Sequence, residues 1–247
     1  MPTSQHSFEA LATRFENGYT LINGWLDYSP NNATITKAAL AAFVTTVNNA
    51  NTDVTTKLNA LGTERNTRTN LVFEKTEDGI LLNPACFENR IRGIVSYLSG
   101  DFEEGHSATK NVTAILKKIR PTYPKKAPDA PPGAGKSPSE KSFASAMGHG
   151  RSVVAIVQTL GVSYVPPDTN LTVANMNVLL TSMTNANTEV QKKAEAYGIS
   201  NRNRRKLFEG VDGLKKRRTA IKSYLASFPG LKKSAHYIEY NDAINGV

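Results

Sequence analysis

The segment Ala130-Pro131-Pro132-Gly133-Ala134-Gly135-Lys136-Ser137 has the spacing of a phosphate-binding loop, with alanine in the first position. Such a loop curls backbone N–H groups around phosphates where a strand passes into a helix. Pro131 and Pro132 have no N–H, and Pro138 follows at once. No strand can be read before the segment, and no apolar strand ending in Asp after it. It reads as part of a basic linker, so no nucleotide or other cofactor is expected. Metal chemistry needs several ligands converging from one or two elements. His6, His106, His149 and His236 are scattered, and the one cysteine, Cys86, has no partner at ligand spacing. No metal site is expected, and Cys86 reads as a core or loop residue. Paired acids for hydrolysis must project into a cleft, whereas Glu77-Asp78 and Glu103-Glu104 lie in turn-like sequence. Glu74 and Glu209 sit close to arginines and read as structural ion-pair partners. The chain is therefore expected to be no enzyme and to take no small-molecule substrate.

Charge is the one chemical signal that accumulates. Residues 192–233 hold 13 Lys and Arg against 3 Asp and Glu. Two clusters stand out, Arg202, Arg204, Arg205 and Lys206, then Lys215, Lys216, Arg217 and Arg218, with Lys222 beyond. They flank one turn, Val211-Asp212-Gly213, and are expected to lie near each other as a polyanion- or partner-binding surface. Clustered cations attract phosphate backbones without reading sequence, but aromatic residues for base stacking are few, and no DNA-reading motif is present. Three readings stay open: an acidic surface on a protein partner or on another copy of the chain, sequence-nonspecific DNA or RNA, and a solvated helical face.

These residues need elements to carry them, and the elements recur. Shifted by 136 residues, Ala50-Asn51-Thr52-Asp53-Val54 falls on Ala186-Asn187-Thr188-Glu189-Val190, Lys57 on Lys193 and Gly62 on Gly198. Allowing one-residue and longer gaps, Leu71-Val72-Phe73-Glu74 meets Lys206-Leu207-Phe208-Glu209, and Ser96-Tyr97-Leu98 meets Ser223-Tyr224-Leu225. Leu40, Phe43, Val47, Ala50, Val54, Leu58 and Leu61 step by threes and fours, as do Met176, Leu179, Met183, Ala186, Val190, Ala194 and Tyr197. That is the stripe of a helix packing in a bundle. The stripes run on through Arg65, Arg68 and Val72, and through Asn201, Arg204 and Phe208. Each predicts one helix of about 40 residues, or about 60 Å, either continuous through its glycine or broken there. Continuity is the favoured reading, although glycine costs about 1 kcal/mol in a helix interior. Further helices are predicted for Phe8–Trp25, for Ile91–Leu98 and its counterpart Leu214–Phe228, for Val112–Ile119 and for Ser142–Leu160, with a short element at His236–Ile244. Glu77-Asp78-Gly79 and Val211-Asp212-Gly213 are expected to end the long helices. No strand-like alternation appears.

The 247 residues accommodate two units, each large enough to bury a core. Residues 121–141 hold six prolines and several lysines with little that is apolar, a linker composition. The expected organisation is therefore all-α, two tandem repeats of a helical bundle, each built on one long helix: residues 1–120, a linker at 121–141, and 142–247. The net charge of +9 is unevenly spread. Residues 1–120 carry 12 basic and 12 acidic side chains, whereas 151–247 carry 14 and 7, so the two repeats are expected to do different work. A single cysteine suits a reducing compartment, no apolar run reaches the roughly 20 residues of a membrane span, and the first residues lack the pattern of a signal peptide. A cytoplasmic protein without membrane contact is expected.

The run from Asn170 to Val190, with Arg204-Arg205-Lys206-Leu207-Phe208 and Ile221-Lys222-Ser223-Tyr224-Leu225, resembles a group of uncharacterised bacterial all-helical proteins. The resemblance covers mainly residues 170–228. It implies an all-α fold and carries no activity or catalytic residue. Taken together, the sequence points to a helical scaffold or interaction protein that self-associates or docks an acidic partner through its basic second repeat, with nucleic-acid binding as the alternative.

Overall fold

A computed structural model describes residues 3–73, 85–119 and 142–245. The expected linker at 121–141, the phosphate-loop-like segment within it, Glu74 and the helix stop at 77–79 lie outside the described residues. Within them the fold is all-helical, with eight α-helices and no strand. In chain order these are α1 (Thr3–Gly24), α2 (Lys37–Phe73), α3 (Phe87–Asp101), α4 (Ser107–Ile119), α5 (Phe143–Gln158), α6 (Val173–Glu209), α7 (Leu214–Leu225) and α8 (Ala235–Asn245).

The two striped segments are continuous helices of 37 residues each, unbroken at Gly62 and Gly198. Their starts are locally determined. Asn32 Oδ1 accepts from the Thr34 N–H at 3.0 Å, and Asp168 Oδ1 from the Asn170 N–H at 2.9 Å, at the 3-10 turn before each helix. Thr36 Oγ1 then accepts from Ala39 N–H at 3.2 Å, and Thr172 Oγ1 from Asn175 N–H at 3.3 Å. Hydroxyl, amide and carboxylate oxygens of this kind satisfy N–H groups that have no partner inside the helix. The stripes are buried as their spacing requires: Leu40, Phe43, Val47, Val54 and Leu61 on α2, and Met176, Leu179, Met183 and Val190 on α6.

The chain folds into two compact units: Met1–Leu61 with Lys193–Val247, and Gly62–Lys192. Neither coincides with the sequence halves 1–120 and 142–247 expected as the two repeats. The physical reason lies in the long helices. Their stripes continue past the glycines, so the front and back of each helix bury in different cores.

The first unit packs Phe8, Phe15 and Ile22 of α1 and Leu40, Phe43 and Val47 of α2 with Phe208, Leu214, Ile221, Leu225, Tyr240 and Ile244. Burying a large apolar side chain contributes about 1.5–3 kcal/mol, and here half of the side chains named come from the far end of the chain. The Tyr28 hydroxyl donates to the Ile35 carbonyl at 2.9 Å. The Tyr224 hydroxyl accepts from the Ser29 N–H at 3.1 Å, and the two rings meet edge to face at 5.1 Å.

The second unit packs Val72, Phe87, Ile91, Ile94, Leu98 and Val112 with Val153, Val157, Leu171, Met176 and Met183. The same arrangement of tyrosines occurs within it. The Tyr164 hydroxyl donates to the Leu171 carbonyl at 2.7 Å, the Tyr97 hydroxyl accepts from the Val165 N–H at 3.2 Å, and the rings are 5.4 Å apart.

Arginines strap each unit in a matching way. In the first, Arg217 Nε donates to the Asp212 carbonyl at 2.9 Å, and its Nη1 to the Thr34 carbonyl. In the second, Arg90 Nε donates to the Ala85 carbonyl at 2.8 Å, and its Nη1 to the carbonyls of Asn170 and Asn175 at 3.1 and 2.8 Å.

Candidate polyanion or partner-binding surface

The basic clusters sit on the last turns of α6, the connection at 210–213 and the first turns of α7, all within the first unit. Two glycines make that connection tight. A Cβ on Gly210 would lie 2.5 Å from the Lys206 carbonyl oxygen, and one on Gly213 would lie 2.9 Å from that of Leu207. Real side chains do not approach backbone so closely, so glycine alone lets α7 start this near the end of α6.

Five of the nine expected cations face solvent: Arg202, Arg205, Lys206, Lys215 and Lys216. Two of them meet across the turn on one carboxylate. Arg205 Nε lies 4.0 Å from Glu209 and Lys215 Nζ 3.3 Å from it. One side chain from each cluster thus meets at Glu209, and the pairing of Glu209 with Arg205 is of the kind read from its register. Exposed ion pairs of this kind contribute only about 0–1 kcal/mol.

The other four are turned inward, which corrects their place in a docking surface. Arg204 is only 2% exposed. Its guanidinium lies 4.8 Å from the centre of the Phe8 ring, and Nη2 donates to Asn201 Oδ1 at 3.0 Å. Its Nε and Nη1 are buried without a hydrogen-bond partner. Burial lowers its pKa, opposed by attraction to Tyr197 and Glu9. Arg217 is half-buried, strapped to the Asp212 and Thr34 carbonyls, with its guanidinium over Phe43. Arg218 Nη2 donates to the Ile244 carbonyl at 3.3 Å. Lys222 Nζ donates to Asn241 Oδ1 at 2.7 Å, and its pKa is lowered by burial and then by Arg218. Counting charge along the chain cannot separate these groups. Arg204 did carry a signal, because it continues the apolar stripe of α6.

The rest of the basic stretch is dispersed. Lys192 pairs with Glu189 at 2.7 Å and belongs to the second unit. Lys232 and Lys233 are exposed on a separate 3-10 turn. No aromatic side chain from 192 to 225 is exposed: Phe208 is buried, and Tyr197 and Tyr224 are half-covered.

Elsewhere the described residues place the other side chains that could do chemistry. None of their His, Cys, Asp and Glu side chains form a group of three able to hold a metal ion. Cys86 is buried at the start of α3, and His236 Nε2 lies 3.2 Å from Asp27 against the Trp25 ring. A shallow cleft of about 310 Å³ beside His106 is otherwise lined by Ser107, Asn111, Ile156, Thr159 and Leu160 among others, with no carboxylate or second histidine. No described helix is long and apolar enough to cross a membrane. No protein-family model, curated protein or solved structure matches the chain.

Proposed function

We propose that the protein is a non-enzymatic helical scaffold that docks an acidic protein surface through Arg202, Arg205, Lys206, Lys215 and Lys216. The observation that carries this reading is the Glu209 carboxylate shared by Arg205 and Lys215. It supports that reading because a carboxylate is already held there between cations from two helices, in a weak, exposed pair. The lack of exposed aromatics beside it favours carboxylates over bases, since single-stranded nucleic acid is held largely by stacking.

The scaffold itself reads as two copies of one helical module joined through residues 121–141. Equal 37-residue helices, matched caps, matched tyrosine pairs and the matched straps of Arg90 and Arg217 support that reading. In it the second copy became the cationic one, and the first stayed neutral.

Phosphate backbones remain the second reading, because clustered cations hold them without base contacts. One titration separates the two. Poly-glutamate and a short DNA duplex are each titrated against the whole protein at several salt concentrations. The proposal expects poly-glutamate to bind at low salt, and the five-fold glutamine variant of the exposed cations to lose that binding. Duplex binding without poly-glutamate binding would transfer the surface to nucleic acid. Failure of both probes would end both readings.

A further inference from the structure

In each unit a strap and a ring pair join the front of the chain to its back. In the first unit Phe8 packs on Phe208 at 4.7 Å, Tyr28 on Tyr224, and Ser200 Oγ donates to Asp53 Oδ2 at 2.5 Å. In the second, Tyr97 packs on Tyr164 and Arg90 holds the carbonyls of Asn170 and Asn175. There, too, Arg68 Nη1 donates to Asn187 Oδ1 at 3.1 Å. The residues from 1 to 119 therefore complete neither unit alone, nor do those from 142 to 247. Their one covalent connection runs through residues 120–141.

We infer that this interface between the two sequence halves is also one between molecules, and that the partner it fits is a second copy of this chain. The back half of one molecule takes the place of the other's own back half in both units, and the exchange is reciprocal. The buried contacts are the same whether the halves belong to one chain or two, so no new surface is needed. What favours the closed monomer is the effective concentration that a covalent connection sets between the two halves. Exchange therefore grows with protein concentration and appears when chains fold together. This is the low-cost route to a dimer open to any fold built from interlocked elements. The inference uses only the contacts inside each unit, and stands apart from the cationic surface and from the repeat reading.

The test uses the full chain with a protease site placed between Pro121 and Lys141, in two versions tagged at opposite ends. Cutting the folded protein should leave its two halves in one particle of about 26.8 kDa by light scattering, and their separation in native buffer would overturn the inference. Next, the two cut versions are unfolded together in urea and refolded. Capture through the front-half tag of one version should recover the tagged back half of the other, with random pairing placing about half of the captured pairs across versions. Mixing without unfolding should recover none. Co-expression of the two uncut versions provides the arm that needs no refolding. Cross-capture there, in particles of twice the monomer mass, supports exchange, and recovery of monomers alone in both arms would overturn it.

Discussion

The guanidinium carbon of Arg217 lies 4.2 Å from the centre of the Phe43 ring, and the same group donates to the Asp212 and Thr34 carbonyls. Arg217 thus ties α7 to the start of α2 and to the turn that precedes it. Hydrogen bonds from charged donors contribute about 1.5–3 kcal/mol each, and the ring contact about 0.5–2. Set against the cost of desolvating the group, Arg217→Ala should lower unfolding free energy by about 2–4 kcal/mol. Arg217→Lys should recover little of that, because a point charge cannot reproduce the planar fork. Urea melts of the two variants check this, with exposed Arg202→Ala as the control that should stay within about 0.5 kcal/mol of the parent.

At Arg204 the charge itself should matter far less, although the residue is the more deeply buried. Two of its guanidinium nitrogens lack a hydrogen-bond partner, and it holds no backbone carbonyl. Replacing a buried, incompletely paired charge with an apolar side chain of similar length is often neutral or stabilising. Arg204→Met should therefore melt within about 1 kcal/mol of the parent or above it, whereas Arg204→Ala, which leaves a cavity against Phe8, should lose about 2–4 kcal/mol. A large loss in the methionine variant would show that the charge itself is needed there.

These two arginines also mark what was legible in advance. Apolar spacing was enough to read the helices, because Leu40 to Leu61 and Met176 to Tyr197 step at the period of a helix and bury the face that period selects. The stop at Val211-Asp212-Gly213 was legible between two basic clusters, whereas the tight fit at Gly210 was not. What those stripes pack against was not, since a stripe states that a face is buried and leaves its partner open. Hence Phe8 meets Phe208, and the front of α2 shares a core with α7 and α8, a pairing that no local pattern announces. The inward turn of Arg217, Arg218 and Lys222 was hidden for the same reason: their acceptors, Thr34, Ile244 and Asn241, are chosen by tertiary packing.

The tyrosines make the fold sensitive to alkali. Burial raises the pKa of Tyr28 and Tyr164 well above the ordinary 10.0, and the nearby Tyr224 and Tyr97 raise it further. Tyr240 is raised by burial as well. Above pH 10 the unfolded chain loses these protons while the folded chain keeps them, so the unfolded state binds fewer protons and stability falls as pH rises. Below pH 10 their contribution is complete. Lys222 acts with the opposite sign, because burial holds its pKa below 10.5, but that effect ends at 10.5 and three tyrosines outweigh it beyond. Urea midpoints should fall steadily above pH 10. A Tyr28→Phe, Tyr164→Phe double variant should fall less steeply, after losing about 1 kcal/mol per hydrogen bond at neutral pH. Parallel pH profiles for parent and variant would contradict this.

Gly62 lies inside α2 with nothing within 4 Å of where a Cβ would stand. Alanine there adds no clash and restricts the unfolded chain, so Gly62→Ala should stabilise by about 0.5–1 kcal/mol. Gly198→Ala should do the same in α6, where only the flexible end of Arg202 comes near, at 3.6 Å. The gain, read from urea midpoints, depends on each helix running unbroken through its glycine. A loss of stability in either variant would place a break at that position.

Gly150 looks alike in sequence, a glycine in a helix, but its neighbours reverse the sign. A Cβ there would stand 2.9 Å from the Phe87 ring and still closer to the Leu180 side chain. Phe87 is fully buried at the start of α3 and Leu180 nearly so on α6, so neither can retreat without disturbing the second core. Overpacking of this kind costs about 1–3 kcal/mol, more than alanine's helix propensity returns. Gly150→Ala should therefore melt earlier than the parent. Gly148→Ala, two residues away on the exposed face of α5 with nothing within 4 Å, should melt later by about 0.5–1 kcal/mol. Because Phe87 belongs to the front of the chain and Gly150 to its back, the pair reads out the packing that joins the two sequence halves. If both substitutions stabilised alike, α5 would not lie against Phe87, and the second core would be assembled differently from the one described.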